Sequence, residues 1–334
     1  MLLDSARGLK QSLFETVLAP FTADGPIVKS LALPAGPMSS VAPVQPSIAL
    51  GLSRGAGSDF RIAVRCQRRE LMDGKEISQI EKKAKGEVDV QFIGTVTKRA
   101  APLWNQQRHR PLQIGTSVGH VKISAGTLGA IVTQRGTGGH LILSNNHVLA
   151  NEGRAKKGDA ILQTGAFDGG TDPADRVATL TDKVAFRKSK PNAVDAAIAA
   201  LVDGIEFDAR TVRGLGKLAG LGPGFVDIGT EVAKLGRTTG LTRGTVTAFE
   251  LDNVVVQFDA GFLQFDGQLE IEGTDEPFSA GGDSGSLILD AGTKLAIGLL
   301  FAGSEIGGSN GLGVTYANPL RTVLDALKVD LVSA

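Results

Sequence analysis

From about residue 112 onward the apolar positions fall in short runs cut by Gly, Asn or Asp. Thr127 to Val132 and Leu141 to Ser144 flank the turn-forming stretch Gln134-Arg135-Gly136-Thr137-Gly138-Gly139. Such runs, bounded by residues that tolerate turn geometry, predict short β-strands joined by turns. Helical spacing is confined to a few places. Leu9, Leu13, Phe14, Val17 and Leu18 share one face over residues 5 to 20, and Pro319 to Val329 starts at a proline and repeats apolar residues at helical spacing. Between them, strand-like runs at Ser47 to Leu52 and Phe60 to Val64, a charged helical segment at Lys75 to Lys85 and an alternating run at Val88 to Ile93 predict a β-β-α-β module. The pattern divides the chain into a helix with a Pro/Ser-rich linker (1–45, the linker at 33–43), a small α+β module (46–105) and a β-rich region (112–334).

Composition narrows the classes. The chain has 334 residues, 35 Lys+Arg against 35 Asp+Glu, and 44 glycines. The charge balance gives no reason to expect nucleic acid or an anionic membrane as a partner. The cluster Arg61, Arg65, Arg68 and Arg69 is interleaved with acids and lacks the aromatic platform that bases stack on, so it reads as a solvated face. Cys66 is the single cysteine, which rules out an intrachain disulfide and points to a reducing, cytoplasmic setting or to a stable core that does without disulfides. The start, Met1-Leu2-Leu3-Asp4-Ser5, has no basic stretch followed by a long apolar one, so neither a signal peptide nor a membrane span is expected. No cofactor is expected. No zinc spacing is present, and the acidic loop Asp168 to Asp175 lacks the spacing of the helix-loop-helix calcium motif.

The chemistry centres on Ala280-Gly281-Gly282-Asp283-Ser284-Gly285-Ser286. A serine hydroxyl needs a base and a place for negative charge to build up. Glycines around Ser284 permit a tight turn that aims the N–H groups of Gly282 and Ser284 at one point, an oxyanion hole. Of the four histidines, His109 lies in a basic run and His120 and His140 lie beside glycines in expected turns. His147 follows Leu141-Ile142-Leu143 and Ser144-Asn145-Asn146, at the end of a buried strand, a rigid position suited to a general base. The acid that orients it is expected at Asp195, embedded in small and apolar neighbours where a carboxylate needs a partner. Asp168, Asp172, Asp175 and Asp182 are expected to be solvated.

The order His147, Asp195, Ser284 and their settings Ser-Asn-Asn-His-Val, Val-Asp-Ala-Ala-Ile and Gly-Asp-Ser-Gly-Ser resemble the chymotrypsin/trypsin clan of serine proteases, over residues 112 to the end. The runs Lys234 to Val246 and Ser124 to Gly129 resemble a narrower group, the bacterial trypsin-like proteins related to the plant narrow-leaf protease. The resemblance implies a mainly β fold, a chymotrypsin-like double antiparallel β-barrel preceded by a small α+β N-terminal domain. It also implies a serine endopeptidase acting on protein or peptide through an acyl-enzyme. The alternative is a trypsin-fold scaffold with a silent site, the N-terminal region serving a regulatory partner or a homo-oligomer. The substrate pocket it implies has Phe278 and Ser279 at its base, Phe301, Ala302 and Gly303 along one wall and Gly313-Val314-Thr315 along another. None is acidic, so cleavage after small or apolar residues is expected. In the clan the acid before the nucleophile pairs with a new amino terminus; here Asp283 needs an internal partner, or the site waits unformed.

Overall fold

The computed structural model describes residues 1–19, 48–55, 59–67, 71–93, 103–136, 138–259 and 261–333. The linker expected at 33–43 and two arginines of the basic cluster, Arg68 and Arg69, lie outside them. The chain forms two compact units, Met1–Ala100 and Ala101–Ala334.

In the first unit helix α1 (Leu3–Leu13) runs on into a wider turn at Phe14–Leu18. That turn shifts the helical phase, so Ala6, Leu13, Val17 and Leu18 are buried while Phe14, expected on the apolar face, is 52% exposed. Strand β1 (Ile48–Arg54) pairs antiparallel with β2 (Phe60–Cys66), and helix α2 (Lys75–Lys83) carries the chain to β3 (Val88–Phe92), parallel to β2. Ile62, Val64 and Cys66 on β2 meet Ile77 and Ile80 of α2 in one core. Arg65 is held by Asp89 at 2.7 Å.

The second unit holds two barrels. The first uses β4 (Ser117–His120), β5 (Gly126–Thr127), β6 (Ala130–Gln134), β7 (His140–Ser144), β8 (Ala160–Leu162), β9 (Arg176–Lys183) and β10 (Ala197–Leu201). β5 and β6 are halves of one strand broken at Leu128-Gly129. Pairing then runs β4 to β5/β6, β7, β10, β9, β8 and back to β4. The second uses β11 (Glu231–Gly236), β12 (Gly240–Leu251), then a hairpin of β13 (Val254–Phe258) and β14 (Gly261–Phe265), then β15 (Gln268–Gly273), β16 (Leu287–Asp290), β17 (Leu295–Gly303) and β18 (Thr315–Pro319). Its ring runs β11, β12, β15, β18, β17, β16 and back to β11. Counting the strands of each ring in chain order, both read first, second, third, sixth, fifth, fourth. The same closed antiparallel path therefore occurs twice, and closure removes exposed sheet edges.

Two short connections matter for the site. Gly129 lies so close to the second barrel that a Cβ there would meet the Gly285 carbonyl oxygen at 2.3 Å. After β18, Pro319 caps helix α4 (Leu320–Leu327), which buries Leu320, Val323, Leu324 and Leu327 before β19 (Val329–Leu331) pairs with β6 of the first barrel. Among the described residues no helix is long and apolar enough to cross a membrane.

Candidate active site

His147 sits on the single helical turn α3 (Asn146–Leu149) directly after β7, and Asp195 lies just before β10, which pairs with β7. The pairing brings the two together. Asp195 is fully buried; its Oδ2 lies 2.5 Å from His147 Nδ1, and its Oδ1 accepts the His147 backbone N–H at 3.2 Å. The Asp195 carbonyl accepts from Asn145 Nδ2 at 2.8 Å. A proton on Nδ1 facing the carboxylate leaves Nε2 as the basic nitrogen. Burial pushes the imidazolium toward losing its proton, but the charge and hydrogen bond of Asp195, with Glu152 beyond it, outweigh that, and the His147 pKa stands above the ordinary histidine value. The Phe258 ring of the β13–β14 hairpin stands edge-on to His147, 5.9 Å between centroids.

The serine segment is a reverse turn, with the Asp283 N–H donating to the Ala280 carbonyl at 3.0 Å and Gly282 at φ 98°, a conformation that favours glycine. Its carbonyls from Ala280 to Ser284 are all engaged. Thr238 Oγ1 donates to the Gly281 carbonyl at 2.8 Å, Thr127 Oγ1 to that of Gly282 at 3.0 Å and the Thr127 N–H to that of Ser284 at 2.8 Å. In a trans peptide the N–H points opposite the carbonyl, so fixing the Gly281 oxygen on Thr238 turns the Gly282 N–H the other way. Among the described residues neither the Gly282 nor the Ser284 N–H has an intramolecular acceptor. Two donors are thus free on one turn, the arrangement that binds an oxyanion.

The chain segments that carry Ser284 and His147 meet around Gly126: a Cβ there would meet Val148 Cγ2 at 2.4 Å and the Ser284 carbonyl oxygen at 3.0 Å. Only a glycine lets the two segments come this close. Ser284 is half-buried, His147 likewise, and among the described residues no hydrogen bond joins them. Catalytic hydrogen bonds are commonly long or misaligned before substrate is bound.

Asp283 has an internal partner, Lys234 on β11. Both side chains are fully buried, with Nζ 3.2 Å from Oδ2. Lys234 also donates to Thr239 Oγ1 and, at 3.1 Å, to the Gly240 carbonyl. Burial lowers its pKa below the ordinary lysine value, against the opposing pull of Asp283. The carboxylate further accepts the N–H groups of Thr238 (2.7 Å), Thr239 (3.2 Å) and Ala280 (3.0 Å) and the Thr239 hydroxyl (2.7 Å). This cage holds the turn from inside.

Asp168, expected to be solvated, is instead nearly buried and takes Arg237 bidentately at 2.8 and 2.5 Å. The reason is that Arg237, at the end of β11, is itself only 8% exposed and needs an anion. Its Nη1 donates to Thr238 Oγ1 at 3.1 Å, the hydroxyl that fixes the Gly281 carbonyl. Asp172 pairs with Arg176 and Asp175 with Arg108, and among the described residues no group of three or more His, Cys, Asp or Glu side chains is placed to hold a metal. His120 is buried against Asp159 at 3.1 Å, and His109 meets the Trp104 carbonyl at 2.7 Å.

The expected pocket needs revision. Phe278 is 2% exposed, and its ring belongs to the second-barrel core with Val246, Ile271 and Leu300. An aromatic ring gains more from that core than from an open cleft. Phe301 likewise packs its ring 4.8 Å from Phe265. Ala302 is half-buried and Gly303 exposed. What borders Gly303 is polar: Ser279 Oγ lies 2.7 Å from Thr315 Oγ1 and 3.5 Å from a Cβ built on Gly303. Sequence reasoning also missed Lys234, although a lysine inside Val232-Ala233-Lys234-Leu235 is a visible break in an apolar strand.

Two barrels with one repeated ring order define a protein of the chymotrypsin-like serine-protease fold. Within that class, residues 209–333 match the family described as Nal1 C-terminal domain, a span that includes the Lys234–Val246 run. Similar solved structures include a Cellulomonas bogoriensis chymotrypsin (22% identity, 67% of this chain and 99% of that one, TM-score 0.45) and Thermobifida fusca protease A (18%, 67% and 99%, TM-score 0.45). A Nocardiopsis protease is similar at 18% identity over 66% of this chain and 98% of its own, TM-score 0.44. No curated protein matches the chain.

Proposed function

We propose that this protein is a serine endopeptidase using His147, Asp195 and Ser284. The observation that supports it best is the buried Asp195 carboxylate 2.5 Å from His147 Nδ1, beside a glycine turn with two free N–H donors. Ser284 Oγ attacks the peptide carbonyl carbon while His147 Nε2 takes the hydroxyl proton, and Asp195 stabilises the imidazolium. The oxyanion is received by the N–H groups of Gly282 and Ser284. Collapse breaks the C–N bond, His147 returning the proton to the amine. Water then attacks the ester, giving a proton to Nε2, and Ser284 leaves with it. Cys66 is a buried free thiol, in keeping with a reducing, cytoplasmic setting.

A second reading, a trypsin-fold scaffold with a silent site, draws on the lack of a Ser284–His147 hydrogen bond. A fluorophosphonate probe separates the two. Covalent labelling that is lost in Ser284→Ala and His147→Ala, with unchanged thermal unfolding, is expected. Removing either is expected to cost as much as removing both, because they act as a unit. Absence of labelling in the unmodified protein supports the scaffold.

A further inference from the structure

We infer that Asn318 and Gln268 are positioning residues that clamp the Asp195 segment from the second barrel; this rests on the proposed role of Asp195. Asn318, on β18, accepts the Asp195 N–H on its Oδ1 at 2.9 Å and donates from Nδ2 to Gln268 Oε1 at 2.6 Å. Gln268, on β15, donates in turn to the carbonyls of Ala193 at 2.9 Å and Asp266 at 2.5 Å. Two side chains thus grip the segment at two points, the carbonyl of residue 193 and the N–H of residue 195. All of Asp195, Asn318 and Gln268 are fully buried.

The chemistry leaves little redundancy. The Asp195 carboxylate has two donors, both from His147, and among the described residues no hydroxyl supports it. Its aim at the imidazole is therefore set through its main chain, by Asn145 on the carbonyl side and Asn318 on the N–H side. An amide is the right group at 318, since it must accept from one neighbour and donate to another at once. The anchoring continues upstream, where Asn192 lies against β14, its N–H donating to the Gln264 carbonyl at 2.8 Å. The acid belongs to the first barrel by sequence and is held by the second. Neither amide touches the reacting atoms.

The variants Asn318→Leu and Gln268→Met test this. Asn318→Leu removes the acceptor at similar volume, and displacement of the acid is expected to lower kcat by about 10- to 100-fold with KM nearly unchanged. The readout that a merely structural role would not move is the His147 pKa, followed by NMR of the imidazole in the full-length protein. It should fall from its raised value in Asn318→Leu, and by less in Gln268→Met, which leaves Asn318 Oδ1 in place. The Asp195 amide of the unmodified protein should exchange its hydrogen as slowly as the barrel strands. Folded variants with the wild-type His147 pKa, or a fast-exchanging Asp195 amide, overturn the inference even if the protein labels with the probe. Failure of labelling in the unmodified protein would instead remove the peptidase reading and leave the pKa comparison intact.

Discussion

Lys234→Met is the most informative single change. It keeps a long unbranched side chain in the fully buried β11 position but leaves Asp283 without its cation. Removing one member of a buried pair strands the other charge, at a typical cost of about 3–5 kcal/mol. Asp283 retains the N–H groups of Thr238, Thr239 and Ala280 and the Thr239 hydroxyl, so the low end, about 3 kcal/mol, is expected. Part of that appears as lost stability and part as disorder of the Ala280–Asp283 turn. If the turn opens at a cost of about 2 kcal/mol, fluorophosphonate labelling of Ser284 slows about 30-fold. The ceiling is the roughly 10²–10³ lost when one oxyanion donor is removed. Denaturant unfolding measures the first part and labelling rate the second. The double variant Lys234→Met/Asp283→Asn removes the stranded charge and should recover most of the stability, a coupling that a double-mutant cycle isolates. A Lys234→Met protein that loses under about 1 kcal/mol and labels at the wild-type rate would refute the claim that this pair holds the turn.

Other expectations follow from the same geometry. In the proposed mechanism neutral His147 is the base, and its pKa is raised, so the acid limb of kcat/KM should lie above the pH of an ordinary histidine near 6.5, activity rising with pH through it; a limb below 6 would contradict the Asp195 contact. By linkage, the stability that this pair contributes is full below the unfolded histidine value and is lost as pH rises through the raised one, which pH-dependent unfolding of the wild type against Asp195→Asn would register. With Ser279, Thr315, Ala302 and Gly303 around the proposed pocket and no acid among them, a peptide library should show small residues before the cleaved bond and disfavour Lys and Arg; Glu305, two residues beyond Gly303, is the nearby acid in sequence, and a clear Arg preference abolished by Glu305→Gln would overturn that. Deleting residues 1–100 should change the assembly mass or the protein-substrate range if that unit binds a partner or a second copy; unchanged mass and kinetics would remove this role.

How much was legible in the sequence depended on where each signal lay. Ser284, His147 and Asp195, the residues proposed for the site, each stand in a distinctive local setting, and the first-barrel strands announce themselves by apolar runs between glycines. The small α+β module was readable for the same reason, its boundaries shifting by one or two residues, as with β2 ending at Cys66 instead of Val64. Phe14 was misplaced because sequence spacing fixes a face only while the phase is regular, and Phe278 because a resemblance gives a position along the chain and not where the side chain packs. A wide turn at Phe14–Leu18 rotated the first, and core packing claimed the second.

The supporting groups were harder to see, for a physical reason that the site itself illustrates. Lys234, Arg237, Gln268 and Asn318 act across gaps of 49, 69, 75 and 123 residues to Asp283, Asp168, Ala193 and Asp195. A polar residue in an apolar strand shows that a partner must exist, since leaving it unpaired in the core is costly, but only the fold says which partner. Both barrels contribute to three of the four: Arg237, Gln268 and Asn318 on the second hold Asp168, Ala193 and Asp195 on the first, while Lys234 and Asp283 both belong to the second. The proposed nucleophile and base likewise come from different barrels, so their alignment depends on how firmly the barrels grip each other. The buried pairs sit at the serine turn and at the acid, next to the groups proposed to react. A substitution among them should therefore disturb chemistry before it unfolds either barrel.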